Sequence, residues 1–260
     1  RDRNSYLLPD INYYSKHNKI RIGYFSGDFR EHPVSTLTVG LFELHDRSQF
    51  EIYAFSYGYD TQDEMNLRIK AGVDHFYDVQ TMSHKEIVLL SRSNEIDIAV
   101  DLGGLTAGAR TNIFAMIVAP IQLSYIGFLG TMGTSYYSYL LADHVIIPEE
   151  TQQFYSEKIA YLPSYQVNDS KELSPEIYLT RKDIGLPEDG FVFCCFNNNY
   201  KITPTTFDSW MRILEYVEDG VLLIYVDVES AKRNLINEAT LRGIDPNRLF
   251  FAEHFDRERY

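Results

Sequence analysis

From Lys19 onward, short apolar runs alternate with stretches whose apolar residues recur at helical spacing. Ile20 to Phe25 predicts a strand that breaks at Ser26-Gly27-Asp28, and Pro33 to Leu44 (PVSTLTVGLFEL) predicts the helix that follows. Glu51 to Tyr57 and Gln62 to Ala71 repeat the pair. Residues 74–79 give a short strand and Ser83 to Ser91 another helix. Glu95 to Leu102 (EIDIAVDL) is the clearest buried strand and runs into Gly103-Gly104, with further strands at Ile121 to Gly127 and Tyr139 to Ile147. Strands alternating with helices of this length predict βαβ units on a parallel sheet.

The stretch from Pro163 to Pro187 is rich in Asn, Asp, Ser, Pro and Lys, and reads as an interdomain connection. A second α/β segment starts beyond it. Phe191 to Phe196 (FVFCCF) is nearly continuous in apolar residues, as expected for a strand covered on both faces. Thr203 predicts an N-cap and Pro204 the first helical position. Val221 to Val226, Ser230 to Arg242 and Arg248 to Ala252 then read as strand, helix and strand. Three strands and two helices are too few for a complete doubly wound domain. The organisation expected is a lead-in at 1–18, a Rossmann-like unit at 19–162, a connection at 163–187 and the start of a second, truncated Rossmann-like unit at 188–260. No solenoid repeat is found.

Lys plus Arg number 24 and Asp plus Glu 37, a formal charge of −13. That sign argues against nonspecific binding of nucleic acid or anionic lipid. No apolar stretch reaches the length of a membrane span, and no signal peptide opens the chain, so a cytoplasmic protein is expected. The first residue is Arg1, which suggests an excerpt of a longer protein. Cys194 and Cys195 are adjacent, so on a strand they point to opposite faces; small, buried, reduced residues are expected.

In open α/β sheets, ligands bind at the C-terminal ends of the strands. His32, beside Pro33 at a helix start, can act there as a general base or donate to phosphate, or can simply cap the helix. In Asp101-Leu102-Gly103-Gly104-Leu105-Thr106, glycines after a buried strand let backbone amides approach a ligand; the spacing fits neither a dinucleotide fingerprint nor a P-loop. Gly127 to Thr134, with Gly130, is either a substrate-facing loop or a plain turn. Lys201, in Asn197-Asn198-Asn199-Tyr200-Lys201, combines a mobile cation with the helix start at Thr203, a good place for a leaving diphosphate, though also an ordinary place for a solvated lysine. No Cys/His cluster suits zinc, and no nucleophile elbow is present.

These segments, in order, resemble the motifs of the O-GlcNAc transferase family and its SPINDLY-like members. The resembling residues are RIGYFSGDFREHPVS (21–35), DLGGLTAGARTNIFA (101–115), APIQLSYIGFLGTMG (119–133), YSEKIAYLPSYQVND (155–169), GLPEDGFVFCCFNNNYKITP (185–204) and RGIDPNRLFFAE (242–253). The resemblance implies a GT-B architecture, two Rossmann-like domains facing a cleft. It implies inverting transfer of a sugar, GlcNAc from UDP-GlcNAc, onto Ser or Thr hydroxyls of a protein or peptide acceptor, with no metal or other cofactor. A GDP-fucose donor or a noncatalytic scaffold is the alternative. His32 matches the histidine of the family's DFxxHP motif, Lys201 the lysine that stabilises the diphosphate, and Asp101 a position that supports the site. Asn198 and Tyr200 flank the lysine, Thr106 matches a threonine of the sugar pocket, and Gly104 and Gly130 belong to the two glycine loops. Arg257 lies in HFDRERY (254–260), where the family begins a nucleotide-contacting segment.

Departures accompany the resemblance. Leu105 stands where relatives carry His or Tyr, and Leu129 replaces a Pro. The family's downstream His-Thr-Thr segment and its preceding tetratricopeptide repeats are not in this sequence. The isolated chain is therefore expected to show little or no transfer activity.

Overall fold

The computed structural model describes residues 8–9, 11–14, 17–167, 169–171 and 179–252. The chain divides into two compact units, 1–172 and 173–260. In the first, β1 (Ile20–Ser26), α1 (Pro33–Leu44), β2 (Phe50–Ser56), α2 (Glu64–Gly72), β3 (His75–Asp78), α3 (His84–Ser93) and β4 (Ile98–Asp101) alternate strictly. A short helix α4 (Asn112–Ala115) and strands β5 (Ile121–Ser124), β6 (Tyr139–Ala142) and β7 (Lys158–Tyr161) complete it. All seven strands are parallel, in the order β3-β2-β1-β4-β5-β6-β7.

The apolar runs of β1 and β2 are explained by two cores, one on each face. Ile22 and Tyr24 of β1, with Ile52 and Ala54 of β2, pack with Val39 and Phe42 of α1. Phe25, Tyr53 and Phe55 join Ile87 and Val88 of α3 in the other core. The period of two along a strand sends alternate residues to each face, and both are covered. Each large side chain so buried contributes roughly 1.5–3 kcal/mol. Helix starts are fixed locally: Asp63 caps α2, and Ser83 closes a reciprocal capping box with Glu86 on α3.

Strand ends differ from expectation where side chains or special backbone turn the chain early. The fourth strand starts at Ile98, not Glu95, because Glu95 has φ +51° and belongs to the turn after α3. β6 stops at Ala142 because Asp143 Oδ1 accepts the N–H groups of Val145 and Ile146, folding 143–146 into a turn. Ile126, at φ +60°, follows β5. The edge strand β7 and the short α4 were not expected, since four residues are too few to establish a period.

The segment after β7 is tied back by charge. Arg68 of α2 donates to both Glu43 of α1 and Asp169, and Lys171 Nζ lies 2.7 Å from Glu43. Asp169 is nearly buried, its side chain 6% exposed, and its hydrogen bonds to Arg68 hold its carboxyl down at about 2.

The second unit holds β8 (Val192–Cys195), α5 (Pro204–Tyr216), β9 (Val221–Tyr225), α6 (Glu229–Leu241) and β10 (Leu249–Ala252), parallel in the order β10-β9-β8. Thr203 caps α5 with Pro204 at its first position. Phe207, Met211 and Leu214 pack on Leu222 and Ile224. Arg248 closes the far end of α5 by donating to the carbonyls of Leu214, Val217 and Gly220.

The reading of 191–196 as a strand covered on both faces is corrected. Among the described residues Val192 and Phe193 pack against the two small cores of this unit, but Phe191 is 58% exposed and Phe196 is exposed. Cys194 is exposed and Cys195 half-buried, not packed away. No helix among the described residues is long and apolar enough to cross a membrane.

Candidate active site

At the C-terminal end of β1 the chain turns over Gly27 and enters α1 through a web of short-range hydrogen bonds. Asp28 N–H donates to Ser26 Oγ, Ser35 Oγ donates to the Asp28 carbonyl, and Arg30 Nη2 donates to Asp28 Oδ1 at 3.1 Å. His32 is the N-cap of α1: its Nδ1 accepts the Val34 N–H at 3.2 Å and lies 3.8 Å from Asp28 Oδ2. The neighbouring strand end closes on this turn without side chains between. A Cβ added to Gly58 would lie 1.8 Å from the Gly27 carbonyl oxygen.

Beside it, Asp101 ends β4 and is 2% exposed. Its Oδ1 accepts the N–H groups of Gly103 and Gly104 at 2.9 and 3.1 Å, and its Oδ2 accepts the Tyr137 hydroxyl at 2.5 Å. Burial pushes the carboxyl up, while these three donors pull the other way. Burial and Asp101 together push the Tyr137 hydroxyl up, so Tyr137 remains the donor. The arrangement folds the glycine turn back over the strand, and Thr106 Oγ1 completes it by donating to the Gly103 carbonyl at 2.8 Å.

The loop after β5 interlocks with that turn. Gly104 has φ +58°, and a Cβ there would lie 2.5 Å from Cβ of Phe128; the Phe128 ring in turn covers Gly130. The return limb of the loop is held by the residues leading into β7. Glu157, 5% exposed, accepts the Met132 N–H at 2.8 Å and the Thr131 hydroxyl at 2.7 Å. Tyr155 donates to the Leu129 carbonyl at 3.3 Å.

Between these strand ends lies a cavity of about 280 Å³, lined by Gly27, Asp28, Arg30, Tyr57, Gly58, Tyr59, Gln80, Gly103 and residues 106–109. Of the residues expected from sequence, Thr106 lines it directly. Asp101 and Gly104 shape the turn that walls it, Gly130 sits behind Phe128, and His32 stands at the neighbouring helix start. Tyr57, Tyr137, Phe128 and Glu157 were not expected from sequence. An aromatic at a strand end reads as core, and Glu157 lies 25 residues from the loop it holds.

In the second unit, Asn198, Tyr200 and Lys201 share one turn between β8 and α5. Asn198 Oδ1 accepts the Tyr200 N–H at 3.4 Å, capping the single 3-10 turn Asn199–Lys201. Lys201 is exposed, its Nζ 6.0 Å from the centre of the Tyr200 ring. The cation therefore sits two residues ahead of the Thr203 cap, where α5 presents its positive end. Arg257 lies outside the described residues.

The sequence profile described as Glycosyl transferase family 41 matches residues 2–178 and 166–260. A probable UDP-N-acetylglucosamine--peptide N-acetylglucosaminyltransferase SEC of Arabidopsis thaliana is 37% identical over 241 residues, 90% of this chain and 25% of that protein. The UDP-N-acetylglucosamine--peptide N-acetylglucosaminyltransferase of Caenorhabditis elegans is 24% identical, covering 93% of this chain and 31% of that one. Among solved structures, a point-mutant O-GlcNAc transferase of Thermobaculum terrenum superposes with a TM-score of 0.84 at 28% identity, over 93% of this chain and 46% of that one. The chain thus spans about a quarter to a third of these curated relatives' length. With the family profile matched along both units, the chain belongs to glycosyl transferase family 41.

Proposed function

We propose that this chain is part of an inverting protein O-glycosyltransferase that moves GlcNAc from UDP-GlcNAc onto Ser or Thr hydroxyls of protein acceptors. The family match and the names of the relatives support the reaction class. The observation that carries the reading to the residues is Lys201, an exposed cation in a capped turn directly ahead of a helix N-terminus. Transfer joins the acceptor oxygen to the anomeric carbon as the bond to the diphosphate oxygen breaks; the electron pair leaves with the diphosphate, on which negative charge collects, and the acceptor hydroxyl's proton passes to solvent water. A cation and free helix amides offset that charge most where it is greatest, in the transition state.

His32 supplies a donor in this reading. With Nδ1 accepting from Val34, the neutral ring carries its proton on Nε2, and that N–H is free to meet an oxygen of donor or acceptor. In the first unit Asp101 supports the site by holding the Gly103-Gly104 turn that carries Thr106, and Gly130 belongs to the neighbouring glycine loop; in the second, Asn198 and Tyr200 flank Lys201. No metal is assigned a role.

The deciding experiment uses the full-length protein with UDP-GlcNAc and a protein acceptor, following label transfer by mass spectrometry. GlcNAc on Ser or Thr is the expected product. A melting temperature raised by GDP and its sugars but not by UDP and UDP-GlcNAc would reject the donor, and no response to any nucleotide would reject the transferase reading.

A further inference from the structure

The cavity above β1, β2 and β4 contains a hydrogen-bond donor that the protein leaves unspent. Tyr57 is 8% exposed and lines this cavity. Its ring lies against Gly27 and its hydroxyl beside Gly103, each within 3.0 Å of where a Cβ would stand. The Arg110 backbone amide lies towards this hydroxyl, and the hydroxyl donates to no acceptor among the described residues. Arg30 shares the lining, its Nη2 spent on Asp28.

A buried donor without an acceptor costs stability unless a ligand or water completes it. Burial, then Asp101 and Asp28, push Tyr57 far above its ordinary range, so the hydroxyl keeps its proton and remains a donor. Asp28 is paired with Arg30 and Asp101 is spent on the Gly103-Gly104 turn and Tyr137, so neither takes the Tyr57 proton. What fits this hydroxyl is an oxygen acceptor, as the hydroxyls and amide carbonyl of an N-acetyl sugar supply.

We infer that Tyr57 is a sugar-binding residue, its hydroxyl donating to a neutral oxygen of the donor's sugar. This assignment rests on the sugar-transfer reading above. It makes Tyr57 a residue that separates nucleotide sugar from bare nucleotide.

Tyr57→Phe removes one oxygen and keeps the ring beside Gly27. In the full-length protein, calorimetric titration should show UDP-GlcNAc bound about tenfold more weakly by the variant, the size of one hydrogen bond, with UDP unchanged. Unchanged UDP-GlcNAc affinity overturns the assignment. So does equal weakening of both ligands, the pattern expected if the lost oxygen merely frees the Arg110 N–H. A second measurement does not depend on how the variant folds: in wild-type protein, the Tyr57 ¹³Cζ resonance should move with UDP-GlcNAc and not with UDP. A resonance indifferent to bound UDP-GlcNAc overturns the assignment as well. Wild-type protein that binds neither ligand instead overturns the sugar-transfer reading itself.

Discussion

His32 Nδ1 accepts the backbone N–H of Val34 at 3.2 Å, so the imidazole that the sequence offered as a base is committed on one side to closing a helix. A ring nitrogen that accepts a hydrogen bond cannot hold the proton of the neutral ring, which therefore sits on Nε2. Side-chain ¹⁵N spectra of the neutral form should report the Nε2–H tautomer; a proton on Nδ1 would contradict the cap. His32→Ala should lower unfolding stability by about 1 kcal/mol, and His32→Asn, whose amide oxygen can cap, by less.

Lys201 is tested in turnover. In the full-length protein, Lys201→Ala should lower kcat by on the order of a hundredfold or more, the loss typical of removing one group that meets transition-state charge. Donor affinity should fall much less, because the charge peaks after binding. Near-intact turnover would remove Lys201 from the role.

Glu157 is tested by which atoms it must present. Glu157→Ala leaves the buried Met132 N–H without an acceptor and should cost about 1–3 kcal/mol in chemical denaturation. Glu157→Gln keeps one acceptor for Met132 but turns an N–H towards Thr131 Oγ1, which already accepts from Gly133 and Ser156, so it should fall between wild type and the Ala variant. Hydrogen exchange should speed up at residues 128–133 in the Ala variant before it does so in β1 or β4.

Asp169 gives a pH dependence of known sign. Its carboxyl, ordinarily at 3.8, is held at about 2 by hydrogen bonds to Arg68, so the folded state favours the ionised form. The resulting stability is present above about pH 4 and is lost as pH falls towards about 2. Unfolding free energies measured across that window should fall more steeply for wild type than for Asp169→Asn. Parallel curves would show that the pair contributes nothing.

Most of the fold was legible because its signals are local. The runs at β1 and β2, the capped starts at Ser83 and Thr203, and the glycines after β4 each declare themselves within a few residues. What escaped depends on distant partners. FVFCCF has the composition of a doubly covered strand, yet only what packs over each face decides that Cys194 is exposed. Tyr57 reads as one more core aromatic, and only the arrival of Gly103 and Arg110 beside its hydroxyl marks it as a donor facing a cavity. Glu157 reads as a surface charge until Thr131 and Met132 fold onto it.

The contact between Gly27 and Gly58 builds part of the cavity wall from main chain alone, with no room for even a methyl group between the two strand ends. Such a wall is indifferent to the identity of the residues around it. Tyr59 and Gln80 can therefore be exchanged, by evolution or in the laboratory, to retune what the cavity accepts while its shape persists. Change at Gly58 would instead remodel the cavity outright, which makes that position a poor place to begin altering preference and a sensitive one for abolishing it.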